Sequence, residues 1–225
     1  MAIVAFLAFA IVVLIKAARL LEPDDFAYHA SIAALRSGHV WLSNAQYLAL
    51  AHQLGGSGIL QWHHLASGAW ISEKNPGYPF FAVVFSLLGS LRLAPLFYGA
   101  VGCAGLFLGA RAWLGRWAGA TAVWLFCFSG AALTFAWRAT MPSFTDASLI
   151  AGGFGLLIWV ALSTRVVARR RLVVGLAAFI ALDGAVFIRY TNVYRLFIER
   201  QELEKWIRLA RRFMSPTTIV SRDGS

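Results

Sequence analysis

The feature that most constrains this chain is a series of apolar blocks, each close to the length of a membrane-spanning helix. Crossing the hydrocarbon core of a bilayer takes about 20 mostly apolar residues. Five blocks approach that length, at 2–21, 93–110, 117–137, 147–164 and 172–188. Only 13% of the 225 residues are charged, which is about half the share in a soluble domain. The sequence therefore predicts an all-α, polytopic membrane protein.

A sixth apolar block, at 76–91, is shorter and opens with two prolines. If it does not cross, a cytoplasmic N-terminus puts residues 22–92 outside the cell and the arginines at 169–171 inside, as the positive-inside rule requires. If it does cross, there are six spans and those arginines lie outside. We therefore predict five spans and an extracytoplasmic loop at 22–92. Lys16 and Arg19, at the outer end of the first span, depart from the rule.

The basic residues lie at the ends of the apolar blocks rather than in a stripe with interleaved aromatic residues. A net charge of +10 would suggest nucleic-acid binding in a soluble domain. At the ends of apolar blocks the same charges act as topology signals, so we expect the lipid bilayer, and no nucleic acid, as the partner. Cys103 and Cys127 lie inside apolar segments without CxxC spacing, which predicts small residues in the core or facing lipid.

The loop at 22–92 carries helix signals of its own. Pro23 before its start and Gly38 just past its end indicate one helix over 26–37. Ser43 and Gln46 form a capping-box pattern for a second helix, which glycines end at 55–56. We expect both helices to lie on the membrane surface as juxtamembrane elements.

The C-terminal part of the chain differs in composition from the spans. Residues 193–213 place apolar side chains on one helical face and Arg and Glu on the other, which is typical of an amphipathic helix at a membrane interface. The polar stretch 214–225 is predicted to be a flexible tail. The expected organisation is therefore a membrane module at 1–192, an interfacial helix and a tail.

Two adjacent carboxylates, Asp24 and Asp25, directly follow the first span. One carboxylate is enough to cap a helix N-terminus, whereas two repel each other and are costly to desolvate near lipid. A metal ion, a cationic ligand or an acceptor proton would offset that cost. On the five-span topology Asp146 faces the same side, so the three carboxylates are candidates for one site. Helix capping is the alternative for each of them.

Arg138 and Arg189 are expected on that same outer face. Phosphate is a natural partner there because guanidinium binds it bidentately, and contact with lipid headgroups is the alternative. His29 is within reach of the acidic pair along one helical face, where it would act as a ligand or simply lie at the interface. Asp183, inside the fifth span, is expected to form an ion pair or to face a cavity.

The start of the chain resembles that of the GT-C glycosyltransferases. An N-terminal span is followed by a DDxxY arrangement at 24–28 and by NPGYPFF at 75–81. RATMPSFTDA at 138–147 is similar to the second extracytoplasmic loop of that family, and IRYTN at 188–192 is similar to the arginine-bearing end of a later span. The family includes the protein O-mannosyltransferases and the aminoarabinose transferases of lipid A. The resemblance covers residues 1–192.

The resemblance implies transfer of a hexose or pentose from a polyprenyl-phosphate donor to an acceptor hydroxyl, on the outer face of a bacterial or archaeal cytoplasmic membrane. Asp24, Asp25 and Asp146 are the implied catalytic residues, with Asp25 or Asp24 as general base. The departing phosphate would be stabilised by Arg138 and Arg189, or by a divalent cation (Mg²⁺, Mn²⁺ or Zn²⁺) held by the same three aspartates. The implied substrate contacts are Tyr28, His29, Arg138, Arg189 and Tyr190.

Members of this family usually have ten or more spans, which is about twice the number predicted here. The alternative function is therefore a non-catalytic membrane scaffold that binds lipid or a partner membrane protein. A second membrane subunit is an expected partner under either interpretation.

Overall fold

The computed structural model describes residues 1–16, 22–55, 58–59, 61–74, 76–163 and 167–188. All of them belong to one compact unit. Arg189, Tyr190, the predicted helix at 193–213 and the predicted tail at 214–225 lie outside the described residues.

Helices make up most of the described chain. They are α1 (Ala2–Ile15), α2 (Pro23–Arg36), α3 (Asn44–Gln53), α4 (Gly77–Leu87), α5 (Leu93–Leu114), α6 (Arg116–Cys127), α7 (Gly130–Phe135), α8 (Pro142–Leu162) and α9 (Ala168–Ile188). Three short strands lie between α2 and α4: β1 (Trp41–Ser43), β2 (Trp62–His64) and β3 (Ala69–Ser72).

Three helices, α5, α8 and α9, are long and apolar enough to cross a membrane. They contain 22, 21 and 21 residues, and at about 1.5 Å per residue each reaches across a hydrocarbon core of about 30 Å. These lengths support the helical membrane-protein class predicted from the sequence. They do not support the predicted number of five spans.

Two of the five predicted spans do not form full-length helices. The block at 117–137 is interrupted, because Ser129 begins a new helix by accepting a hydrogen bond from the amide of Ala132 at 3.1 Å. The block at 2–21 gives a described helix of 14 residues, and residues 17–21 lie outside the description. The sixth block gives α4, whose 11 residues are too few to cross a bilayer by themselves.

The centre of the bundle is the contact between α5 and α8, where glycines bring the two backbones together. A Cβ at Gly105 would lie 2.1 Å from the carbonyl oxygen of Gly152, and one at Gly155 would lie 2.2 Å from the carbonyl oxygen of Gly105. Both distances are far below van der Waals contact, so this approach requires glycine. Small residues commonly line such crossings, because close backbone packing is a main source of attraction between helices in lipid. Helix α6 packs on α5, and α9 packs on α8.

Helix α1 packs against α5 and α6 through buried side chains that include Phe9. Cys103 and Cys127 are buried in the same cluster, and their sulfur atoms lie 3.4 Å apart. Of the two placements predicted for the cysteines, in the core or facing lipid, the structure shows the core.

Both helices predicted in the loop at 22–92 are confirmed. Helix α2 ends in a Schellman motif, in which the amide of His39 donates to the carbonyl of Ala34 at 3.1 Å and Gly38 has a φ of +81°. Helix α3 begins with the expected capping box. The amide of Gln46 donates to the hydroxyl of Ser43 at 3.2 Å, and the amide of Ser43 donates to the side-chain oxygen of Gln46 at 3.0 Å.

A three-stranded antiparallel sheet in the order β1-β3-β2 corrects the expectation of an all-α fold. Its strands are only three or four residues long and carry Trp and Ile, which favour strands. The turn between β2 and β3 uses Gly68 at a φ of +80°, a conformation that suits glycine. Trp70 stacks on Tyr47 of α3 with ring centroids 3.7 Å apart, which fixes the sheet to that helix.

Candidate functional site

The acidic pair after α1 and the loop between α7 and α8 meet at the carboxylate of Asp25. Arg138 donates through Nη2 to Asp25 Oδ2 at 2.6 Å, and the hydroxyl of Thr140 donates to Asp25 Oδ1 at 3.0 Å. Asp25 is fully buried, and Arg138 is 5% exposed. The two loops that carry these residues, which the sequence predicts on one face of the membrane, are therefore in direct contact.

Glu22 completes this group, which we call the carboxylate–arginine cluster (Glu22, Asp25, Arg138 and Thr140). Arg138 donates through Nη1 to Glu22 Oε1 at 3.0 Å, and the amide of Glu22 donates to Asp25 Oδ2 at 3.2 Å. The hydrogen bond to Glu22 raises the pKa of the Arg138 guanidinium above its ordinary value; burial opposes this rise and Asp25 reinforces it. Asp25 thus caps the start of α2 and binds an arginine more than a hundred residues away.

Each of the residues 137–140, which include Arg138, contacts a side chain from the first 78 residues of the chain. Lys16 Nζ lies 5.2 Å from the ring centroid of Trp137, a cation–π distance. The hydroxyl of Tyr78 donates to the carbonyl of Ala139 at 2.5 Å. These contacts fix the loop that carries Arg138. They also give Lys16, whose position departs from the charge rule, an aromatic partner.

Arg138 finds its anionic partners within this chain. The partners predicted from the sequence were a phosphate or lipid headgroups, since the carboxylates that pair with Arg138 are more than a hundred residues away. Two carboxylates of the first loop occupy the guanidinium instead. Tyr28, the tyrosine of the DDxxY arrangement, is buried and packs edge-on against Tyr78 with ring centroids 5.9 Å apart.

Asp24 has different partners from Asp25. Its Oδ1 accepts a hydrogen bond from Gln61 Nε2 at 2.8 Å and lies 3.0 Å from Lys74 Nζ, and its side chain remains 36% exposed. Burial by itself would raise the pKa of Asp24, but Gln61 and Lys74 outweigh burial and lower the pKa below its ordinary value of 3.8. Asp24 is therefore an ionised and partly accessible carboxylate with a lysine beside it.

Sequence reasoning did not identify Gln61 and Lys74. Gln61 has a φ of +67°, a backbone conformation that is uncommon for any residue other than glycine. Such strained residues cluster at functional sites, where the surrounding structure holds them in place. Lys74 directly precedes the NPGYPFF motif, and this position was the one signal that could have indicated it.

Asp146 lies in the second turn of α8 and is buried. The alternative that it caps a helix starting at 147 is wrong, because α8 begins at Pro142, five residues earlier than the predicted start. No group of three or more His, Cys, Asp or Glu side chains within the described ranges is placed to hold one metal ion. Asp24, Asp25 and Asp146 therefore do not form the implied set of metal ligands. Lysine and arginine side chains neutralise the first two instead.

His29 and Asp183 were also expected to have a role at the site or within a span. His29 is half-buried in α2, where burial, aided by the positive charge of Arg36, lowers the pKa of its imidazole below the ordinary value of 6.5. Asp183 is exposed on α9 and forms no ion pair with any residue that the structure describes. The ion pair expected for Asp183 is therefore not formed in that part of the chain.

His29 should make the protein less stable in mild acid. Because its pKa is lower in the folded state, the unfolded state binds more protons once the pH falls below about 6.5, and folding becomes less favourable as the pH drops through the folded pKa. Between pH 7.5 and pH 5, we expect the unfolding temperature of His29→Asn to fall by less than that of the wild type. The exposed His52 is the control, since His52→Asn should follow the wild type. Equal acid sensitivity in His29→Asn would contradict this.

Comparison of the chain with protein-family models, characterised proteins and solved structures finds no match. The functional assignment therefore depends on the geometry of the cluster and on Asp24 with its neighbours.

Proposed function

We propose that this chain is a membrane glycosyltransferase, or the catalytic module of one, which transfers a sugar from a polyprenyl-phosphate donor to an acceptor hydroxyl. The observation that carries the proposal is the division of roles within the acidic pair. Asp25 is fully buried in an ion pair with Arg138. Asp24 remains partly exposed with Lys74 at 3.0 Å.

Asp24 is the general base of the proposed reaction. The acceptor oxygen forms a bond to the anomeric carbon while its proton passes to the Asp24 carboxylate. The bond between the anomeric carbon and the phosphate oxygen breaks, and its electron pair leaves on the polyprenyl phosphate. With a pKa below 3.8, Asp24 is ionised at neutral pH, which is the form that accepts a proton.

Lys74 is the group that stabilises the departing phosphate. Its ammonium lies beside Asp24 and its side chain is 25% exposed, so a phosphate oxygen can reach it from outside. A fixed positive charge at the point where negative charge develops lowers the barrier of such a step. Arg138 is 5% exposed and already binds two carboxylates, so its proposed role is to hold the two loops together.

Asp25 is a positioning residue in this proposal. Its carboxylate receives hydrogen bonds from Arg138, from Thr140 and from the amide of Glu22, and none of its surface is exposed. Of the two aspartates, Asp24 is therefore the one accessible to an acceptor hydroxyl. The bilayer, which α5, α8 and α9 are long enough to span, would hold the polyprenyl chain of the donor, and the cytoplasmic membrane is the proposed location.

Asp24→Asn should abolish transfer while leaving the fold intact. A general base typically contributes 10²–10⁴-fold to the rate, so we expect a fall of at least about 100-fold. The assay uses purified protein in proteoliposomes with a membrane extract as the source of acceptor hydroxyls. Polyprenyl-phosphate mannose and polyprenyl-phosphate aminoarabinose, radiolabelled in the polyprenyl chain, are supplied separately, and the formation of free polyprenyl phosphate is measured. Glu73→Gln is the matched control, because Glu73 is an exposed carboxylate of the same loop that pairs with His63. It should retain wild-type activity.

Equal rates for the wild type and Asp24→Asn would contradict the assigned base. Failure of the folded wild type to consume either donor would instead favour a non-catalytic membrane scaffold. One observation favours that second function. The hydrogen bonds to the Asp25 carboxylate from Arg138, Thr140 and the amide of Glu22 are all made within this chain. This is what we expect if Asp25 serves only to join the two loops.

A further inference from the structure

A cavity of about 650 Å³ lies between α1, α5 and α6, at the far end of the bundle from Asp24. Arg92, just before α5, donates to the carbonyl of Leu14 at 2.9 Å, so α5 begins beside the C-terminal end of α1. The 22 residues of α5 then carry the chain about 33 Å away. Apolar side chains line most of the cavity, among them Ile3, Phe6, Ala104, Phe107, Trp117 and Val123.

Two arginines, Arg111 and Arg116, also line this cavity. The carbon atoms of their guanidinium groups lie 5.9 Å from the ring centroid of Phe107 and 5.2 Å from that of Trp117. Neither arginine forms an ion pair with a carboxylate in the described ranges. Both guanidinium groups therefore keep their charge available to an anion from outside the chain.

Glycines fix the two arginines near each other. Gly115 turns the chain between α5 and α6 at a φ of +93°. A Cβ at Gly119 would lie 2.8 Å from the carbonyl oxygen of Phe107, so the two helices approach closely next to Arg111. The result is an apolar cavity with two cationic groups among its lining residues, at the end of a helix long enough to cross a membrane.

We propose that this cavity binds one anionic phospholipid of the leaflet on that side of the membrane. An acyl chain fills the apolar cavity, and the phosphate is bound by Arg111 and Arg116, since arginine binds phosphate through paired N–H groups. The volume is within the range of well-formed ligand pockets. The positive charge of the lining matches an anionic headgroup and gives no advantage to a zwitterionic one. This site is independent of the proposed sugar transfer.

Native mass spectrometry of the detergent-solubilised protein tests the proposal. The protein is mixed with equimolar phosphatidylglycerol and phosphatidylcholine of the same acyl chains, and the retained lipids are counted. We expect the wild type to retain phosphatidylglycerol preferentially. The double variant Arg111→Gln/Arg116→Gln should retain on the order of tenfold less of it. The double variant Arg169→Gln/Arg170→Gln, which removes the same charge from the start of α9, should match the wild type.

A second pair of variants tests the acyl-chain part of the site. Ala104→Trp places a large ring in the cavity while leaving both arginines intact, and it should also lose phosphatidylglycerol. Ala177→Trp, at an exposed position of α9 outside the cavity, should not. Millimolar inorganic phosphate should fail to displace the lipid.

Three results would overturn the proposal. One is equal retention of phosphatidylcholine, which would show that the site has no preference for an anionic headgroup. Another is displacement of the lipid by phosphate alone, which would indicate an anion site without an acyl chain. The third is a dimer that retains no lipid and dissociates in Ala104→Trp, which would assign the cavity to a second copy of the chain.

Discussion

Asp25→Asn should lower the free energy of unfolding by about 3 kcal/mol, because removing one member of a buried ion pair leaves the other charge poorly compensated. Arg138 is 5% exposed, and its remaining partner would be Glu22, whose side chain is 56% exposed. Asparagine has nearly the same shape as aspartate, so the loss comes from the charge and not from a cavity. The start of α2 would also lose part of its cap.

The change is measured as the shift in the unfolding transition of the purified protein in mild detergent. Asp24→Asn serves as the matched control, since Asp24 forms a partly exposed pair, and such pairs contribute at most about 1 kcal/mol. We therefore expect the Asp25 variant to be clearly the less stable of the two. Equal stability of the two variants would mean that the buried ion pair does not hold the loops together.

Gly105→Val should separate α5 from α8 and destabilise the whole bundle. A Cβ at this position would lie 2.1 Å from the carbonyl oxygen of Gly152 and 2.6 Å from its Cα. Both are backbone atoms, which cannot rotate away as a side chain can, so one helix must move. Overpacking a core typically costs about 1–3 kcal/mol, and we expect an effect at or above the upper end of that range.

Gly175→Ala is the control for this substitution. Gly175 lies within α9, and a Cβ there would meet nothing within 4 Å. Alanine is favoured over glycine inside a helix by about 0.5–1 kcal/mol, so this variant should be as stable as the wild type or slightly more stable. Unfolding transitions of both variants, measured in the same detergent, provide the test. A Gly105→Val protein with wild-type stability would show that α5 and α8 do not cross at these glycines.

Local signals allowed the helices of the first loop to be predicted from the sequence. The glycine after α2 and the capping box of α3 act within four or five residues, so their effect does not depend on the rest of the fold. The strands were missed because each has three or four residues, too few for an alternating pattern to emerge. Apolar composition also could not reveal the break at Ser129, which depends on one side-chain hydrogen bond.

The candidate site was predictable in part. The five-span prediction placed Asp25 and Arg138 on one face, and their side chains are in contact. Which carboxylate binds which cation could not be predicted, since it depends on the packing of loops more than a hundred residues apart. Lys74 and Gln61 were missed because nothing in the sequence near Asp24 indicates that they reach it.

A double-mutant cycle between Asp25 and Arg138 tests the central claim most directly, namely that these two residues join the loops that form the site. Unfolding free energies are measured for the wild type, Asp25→Asn, Arg138→Gln and the double variant. The 2.6 Å contact between buried groups predicts a coupling free energy of about 2 kcal/mol or more, with the double variant little worse than either single one. Additive effects, within about 0.5 kcal/mol, would contradict the claim.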